Sequence, residues 1–465
     1  MAALAPRVDR LGTRPLGRLL WESCTHTTLS VGVYGVYALT NAWFVARGVG
    51  PTALAAVNLV APVLLLVGAV STTIGVGAAS LVSRALGGAH PQRAARAAGN
   101  AMGLFWVAAL ATTALGLIFV EPLLTGLGAT DATRGYARDY AVIILAGAVV
   151  STGFSSLVRA EGRMAFSTLL WVLPVAVQIT LDPLLIWGLD MGVRGAALGT
   201  VGGQAVSAVL SVWFFFVQRR RPYRIRAADL RPHGATLGAL ISIGAPTFLA
   251  GAGVTVLVLL VNRSLAAGAG AAAALATFAV ASRIQTFVTM PQTGISQGAQ
   301  PVIGYNAGAG LAPRVRRALR LSLTATSLYG VAIGAVVATA APWLVALFVD
   351  EPAVLDVAVP ALRILAVGCA VAGVTPLVSA YFQAIGRPSS SYVLSVGTLV
   401  AIKIPLVVVA SPAGPTGIWI ALAAGEAAAA VAALSVAAVH VRRGEPIRSA
   451  RGSESGENGS LGGSP

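Results

Sequence analysis

PTALAAVNLV at residues 51–60 and AAALATFAVA at residues 272–281 stand 221 positions apart, and the correspondence runs well beyond them. Ala53 falls on Ala274, Leu54 on Leu275 and Ala55 on Ala276. Farther along, Ile74 meets Ile295, Gly77 meets Gly298, Gly87 meets Gly308, Arg93 meets Arg314 and Arg96 meets Arg317, all without a gap. At an offset of 224, Ala160, Gly162 and Arg163 fall on Ala384, Gly386 and Arg387; at 222, Gly195 falls on Gly417 and Gln204 on Glu426. Chance accounts for single coincidences among abundant alanine and glycine. It does not account for an order kept along half the chain, arginines included.

The repeated unit is a set of membrane spans. Of 465 residues, 56% are hydrophobic and only 10% are charged, where a soluble domain carries about 25% charged residues. A span needs about 20 predominantly apolar residues. Such runs fall at 16–45, 52–84, 92–118, 131–158, 165–188 and 194–217, and again at 236–264, 272–305, 315–340, 354–384, 390–410 and 415–440. The fold class is therefore an all-α polytopic membrane protein of twelve transmembrane helices. They form two six-helix lobes in a parallel pseudo-twofold repeat, because an even number of spans returns the chain to its starting side.

Arginine placement gives the direction. Alternate loops hold Arg84, Arg93 and Arg96, then Arg159 and Arg163, then RRRPYRIRAADLR at 219–231, Arg314, Arg316, Arg317 and Arg320, Arg387, and finally Arg442 and Arg443. The intervening loops hold few basic residues and most of the acidic ones. By the positive-inside rule both termini are cytoplasmic in a plasma (inner) membrane. The expected organisation is a cytosolic lead-in 1–15, an N-lobe 16–217, a basic connector 218–235, a C-lobe 236–440 and a disordered tail 441–465. The net charge of +16 is thus an orientation signal. The basic residues come in short clusters between apolar segments, without aromatic interleaving of the kind that binds bases, so nucleic acid is not expected as a partner. Cys24 and Cys369 are far apart in apolar segments and read as packing residues. The lead-in lacks an apolar signal core and a cleavage site.

A few polar groups stand inside the apolar runs. Asp182, in QITLDPLLIW at 178–187, would cost about 2.5–3.5 kcal/mol at a bilayer centre. Gln178 lies one turn before it on the same face. Tyr37, Asn41 and Thr200 present polar groups at similar depth. One reading makes Asp182 the group that carries a coupling ion, a proton or a Na⁺ held by hard oxygen ligands. The other makes it a structural hydrogen-bond acceptor. Glu22 and His26, four apart, are either a proton access point or a solvated helix end. Lys403 and Glu426 reach similar depth on helices 11 and 12, as a locking ion pair or as a second titrating site. Arg283 lies in the outer third of helix 8. Phe154, Trp171, Phe287 and Met290 are candidates for a substrate cavity, since aromatics and methionine suit flat cations. The four histidines are scattered, and no HExxH or GxSxG constellation is present, so neither an enzyme nor a metal site is expected.

PTALAAVNLVAP with GVGAASLVSRALGGAHPQRAARAA, RAEGR at 159–163, LDPLLIWGLDMGVRGAALGT at 181–200 and GISQGAQPVIGYNAGAG at 294–310 together resemble the multidrug and toxic compound extrusion (MATE) family, closest to its DinF-like prokaryotic branch. The resemblance spans nearly all of 16–440. It implies an alternating-access antiporter, without cofactor, that exports amphiphilic organic cations in exchange for protons or Na⁺. An exporter or flippase of one endogenous metabolite or lipid-linked precursor is the alternative. The partners it implies are a small organic substrate and the lipid bilayer, with the protein a monomer. Where the family has Asp in its first helix this chain has Asn41, with Tyr37 four residues earlier. The family's Asn-x-x-x-Asp in the fifth helix is here Gln178 and Asp182, and its sixth-helix threonine is Thr200. An amide in place of one carboxylate leaves the coupling ion and its stoichiometry open.

Overall fold

The computed structural model describes residues 10–150, 154–218, 221–268, 270–349 and 351–443. Most of the lead-in, Asp350 and residues 444–465 of the expected tail lie outside them. The first half contains α1 (Leu16–Gly48), α2 (Pro51–Gly87), α3 (Pro91–Ile118), α4 (Asp131–Ala160), α5 (Met164–Gly188) and α6 (Gly192–Val217). The second contains α7 (Gly234–Ala266), α8 (Ala271–Gly308), α9 (Ala312–Thr339) and α10 (Val354–Ala384). The last long apolar segment, Pro388–Arg442, has 55 residues, about 80 Å of helix against a hydrocarbon core of about 30 Å. It is two helices. A turn at Ser411–Ala413 and Gly414, whose φ of 78° only glycine adopts freely, separate α11 (388–410) from α12 (Gly414–Arg442). The twelve expected spans are all present.

The duplication is visible in the packing. The final stretch of α2, from Ile74 onward, is almost continuously buried, and so is the end of α8 from Ser296 onward. The α-helical run of α4 gives way after Gly147 to a 3-10 turn, Ala148–Val150, and that of α10 stops at Val371 and restarts at Val374. Each half has its own apolar core. One gathers Ala53, Ala56, Ala137, Ala141, Ala196 and Ala197 around Tyr140 and Leu145. The other gathers Ala274, Ala281, Ala358, Ala361 and Ala366 around Phe278 and Trp419. Small residues let helices approach where lipid supplies no hydrophobic drive for association.

By packing, the chain divides into two compact units that do not follow the helix count. Among the described residues, the first comprises Arg10, Leu29–Leu86 and His90–Gly244; the second comprises Leu11–Thr28, Gly87–Ala89 and those from Ala245 to Arg443. The opening turns of α1 therefore belong to the second unit. There Ser23 Oγ donates to the Gly298 carbonyl at 2.6 Å and Thr28 Oγ1 to that of Pro291 at 3.5 Å. A β-carbon at 298 would lie 2.7 Å from Cys24 Cα, so only glycine permits this approach. The opening turns of α7 correspondingly belong to the first unit, where the backbone of Leu240 lies against Gly77, the repeat partner of Gly298.

The connector is strapped to the first unit at both ends. Asn100 on α3 donates to the carbonyls of Asp229 at 2.9 Å and Arg231 at 3.1 Å, and accepts from the His233 N–H at 2.8 Å. At its start, Arg221 pairs with Glu161, and their side chains are 1% and 0% exposed. The guanidinium also donates to the Phe215 carbonyl at 2.9 Å and stacks over Phe215 and Tyr223 at 4.4 and 4.7 Å. Burial, then the neighbouring Glu161 carboxylate, holds the Tyr223 phenol well above its ordinary range, so it stays neutral. Arg163 reaches Gln218 Oε1 at 3.0 Å and completes the clamp.

Candidate functional site

Two prolines shape α5 around its carboxylate. Pro174 cannot donate to the Leu170 carbonyl, and Ser207 Oγ on α6 takes that acceptor at 3.0 Å. Pro183 likewise frees the Ile179 carbonyl one turn from Asp182, and directly after it the helix widens into a π-turn, Leu184–Gly188. Asp182 is 0% exposed and Gln178 1%. Gln178 Nε2 donates to Asp182 Oδ2 at 3.1 Å, as expected for groups one turn apart. The other oxygen, Oδ1, has no hydrogen-bond partner among the described residues.

Around that free oxygen the sequence-derived residues converge within the first unit. Asn41 on α1, 5% exposed, and Thr200 on α6, 1% exposed, are both buried. Asn41 Nδ2 and Thr200 Oγ1 also lack partners among the described residues. Asn41 lies close to Asp182, and Tyr37 close to Thr200 and Asp182, but none of these pairs closes a hydrogen bond of normal geometry. Three orphaned polar atoms in one buried cluster is an unusual cost, since each normally forfeits about 1–3 kcal/mol. Gly199 makes the room, because a β-carbon there would collide with Asp182 Oδ1. Gly199→Ala is therefore expected to destabilise the protein by about 1–3 kcal/mol through overpacking and to displace the carboxylate. Thermal unfolding and transport measured on one preparation check both effects.

One member of the cluster escaped the sequence reading. Tyr140 on α4 is 1% exposed and lies near Tyr37, Thr200 and Asp182. A tyrosine in a span, one turn from other polar residues in DATRGYARDYAV, was the available signal. Tyr34 stacks on Tyr37 at 5.5 Å and meets Trp171 edge-on at 6.2 Å, extending an aromatic wall from the cluster. The Trp171 indole donates to Ser155 Oγ at 3.1 Å.

The remaining candidates lie elsewhere. Phe154, expected along a cavity, is 3% exposed and packed edge-on among Phe105, Trp106 and Phe215. In the second unit Phe287 is 47% exposed and Met290 half-buried. Arg283 is exposed and makes no ion pair among the described residues. Glu22 pairs with Arg14 at 3.2 Å, while His26 is half-buried one turn on. Lys403 and Glu426 do meet, Nζ to Oε1 at 2.5 Å with side chains about one-fifth exposed. Lys403 ends a π-turn, Leu399–Lys403. No group of three or more potential metal ligands occurs among the described residues.

Comparison with known proteins places this geometry in context. The family model MatE matches residues 28–184 and 241–409, one segment in each half. An FAD transporter of Shewanella oneidensis is 26% identical over 420 residues, covering 87% of this chain and 90% of that protein. The multidrug export protein MepA of Staphylococcus haemolyticus is 25% identical over 408 residues, covering 86% and 88%. A solved outward-facing structure of a multidrug resistance MATE family transporter of the MOP superfamily superposes with a TM-score of 0.87. It covers 94% of this chain and 98% of its own at 24% identity. A MOP superfamily transporter from Pyrococcus furiosus gives the same score, coverage and identity. At that identity the structural agreement speaks to the fold.

Proposed function

The chain belongs to the MatE family of multidrug and toxic compound extrusion transporters, and from that premise we propose a proton-coupled antiporter that exports amphiphilic organic cations, with Asp182 carrying the coupling proton. The observation that supports this reading is the free Oδ1 of Asp182, buried beside unpartnered Asn41 and Thr200. A purely structural carboxylate would have both oxygens bonded. Here one oxygen is held by Gln178, which orients the group, and the other stays available for a proton. Tyr37 and Tyr140 supply further hydroxyls near the loaded group. With both termini in the cytosol, proton uptake would occur from the outer side and release to the inner.

The energetics suffice. A monovalent cation exchanged for one proton moves no net charge, so only the pH gradient acts. Each pH unit supplies about 1.4 kcal/mol, about tenfold in accumulation. The specific observation favouring Na⁺ instead is that Thr200 Oγ1 is also unpartnered, and hydroxyl, amide and carboxylate oxygens together suit a hard cation. Protein reconstituted in vesicles separates the two. An imposed pH gradient is expected to drive counterflow of a lipophilic cation, without response to a clamped membrane potential. Counterflow driven by a Na⁺ gradient and not by a pH gradient would overturn the ion assignment. Flavin adenine dinucleotide belongs in the same substrate panel, since the Shewanella relative is an FAD transporter and a single endogenous cargo is the competing reading.

A further inference from the structure

The second unit holds a pocket of about 390 Å³ at the start of α1 and the start of α9, lined by Arg14, Gly17, Arg314 and Arg317 among others. Its charge is not balanced. Three guanidiniums face it, and among the described residues the one ion pair they make is that of Arg14 with Glu22 at 3.2 Å. Arg317 is exposed and carries no hydrogen bond or ion pair among the described residues.

Arg314 is not a loose surface side chain. Its Nε donates to Asn306 Oδ1 at 2.9 Å, and its Nη2 to the carbonyls of Arg14 at 2.9 Å and Leu11 at 3.4 Å. Asn306 is itself fully buried and donates to the carbonyls of Leu11 at 3.0 Å and Val302 at 2.8 Å. These acceptors are all neutral. They fix the guanidinium plane without quenching its charge, and Nη1 has no partner among the described residues. The anchor is peculiar to this half, because 221 positions earlier Asn306 becomes Ala85.

The backbone adds to the field. The first turn of α1 contains no acidic residue, so no carboxylate in that turn offsets the positive end of a 33-residue helix. Gly17 stands in that turn with open space where a side chain would be. One turn farther on, Trp21 is 76% exposed, the position of an aromatic anchor at a membrane–water interface. The pocket thus lies at headgroup level.

We infer that this pocket binds the phosphate of an anionic phospholipid headgroup, held between Arg314, Arg317 and the backbone start of α1. A phosphate oxyanion matches planar guanidinium donors and a helix N-terminus together. Free inorganic phosphate shares that chemistry, but the flanking Trp21 and Arg18 select a ligand already in the bilayer. A lipid seated there ties the first turn of α1 to α9.

The test uses the full chain taken from vesicles of mixed phosphatidylglycerol and phosphatidylcholine, with retained lipid counted by native mass spectrometry. The protein is expected to retain phosphatidylglycerol in preference to phosphatidylcholine, and Arg317→Gln to lower that retention about fivefold, as for loss of one basic residue near a surface. Gly17→Asp is the second variant. An acid in the first turn favours the helix while repelling the phosphate, so lipid retention falls and the melting temperature in lipid-free detergent does not. Equal retention of both lipids overturns the proposal. So does unchanged phosphatidylglycerol retention in both variants. A melting-temperature rise with millimolar inorganic phosphate, without lipid preference, assigns the pocket to free phosphate and overturns the lipid.

Discussion

Asp182→Asn is expected to reduce counterflow driven by a pH gradient to the level of empty vesicles, with the protein still folded. Asparagine keeps the volume of the side chain and one oxygen to accept from Gln178 Nε2, whose bond to Asp182 now measures 3.1 Å. It cannot take up a proton or balance a cation. The site also loses a buried carboxylate with one unpartnered oxygen, so thermal stability should hold or rise, since a charge in hydrocarbon is costly. The decisive measurements are initial counterflow rate and melting temperature on the same preparation. Retained pH-driven transport in the variant would remove Asp182 from the coupling step.

The second large effect is expected at the clamp that starts the connector. Glu161→Ala leaves the Arg221 guanidinium, whose side chain is 1% exposed, without its counter-charge. Breaking a buried pair by removing one partner costs about 3–5 kcal/mol. The stacked rings of Phe214, Phe215 and Tyr223 soften that cost through cation–π contact but do not neutralise the charge. A double variant, Glu161→Leu with Arg221→Met, should recover most of the loss, because well-packed apolar side chains often replace a buried pair without penalty. Thermal unfolding of Glu161→Leu, Arg221→Met and the double variant measures this. Additive losses would mean that the pair is not coupled.

Twelve helices and their duplication were legible because both are written in signals local to the chain, runs of apolar residues and clusters of arginine. The cluster at Asp182 was legible for a related reason. A charged side chain in a span is rare, and Gln178 shares its helix face by spacing alone. Tyr140 was not, because a tyrosine in a helix has many ordinary reasons to be there and its proximity to Thr200 is set by packing of α4 on α6. The roles of Asn100 and Arg221 were equally hidden. Asn100 binds the connector across 129 residues of sequence, and the ion-pair partner of Arg221 lies 60 residues away. Phe154 shows the limit of residue type as a guide, since an aromatic that suits a flat cation also suits a packed cluster of rings.

Because Leu11–Thr28 packs within the second unit, the start of α1 waits for its partners during synthesis. Ser23 finds its acceptor, the Gly298 carbonyl, 275 residues downstream. At translation rates of 5–20 residues per second the ribosome needs roughly 14–55 s to make that stretch. Throughout that interval the opening turns of α1 lack this partner. Their serine and threonine hydroxyls must be sheltered by the insertion machinery or turned back on their own backbone until the eighth span arrives.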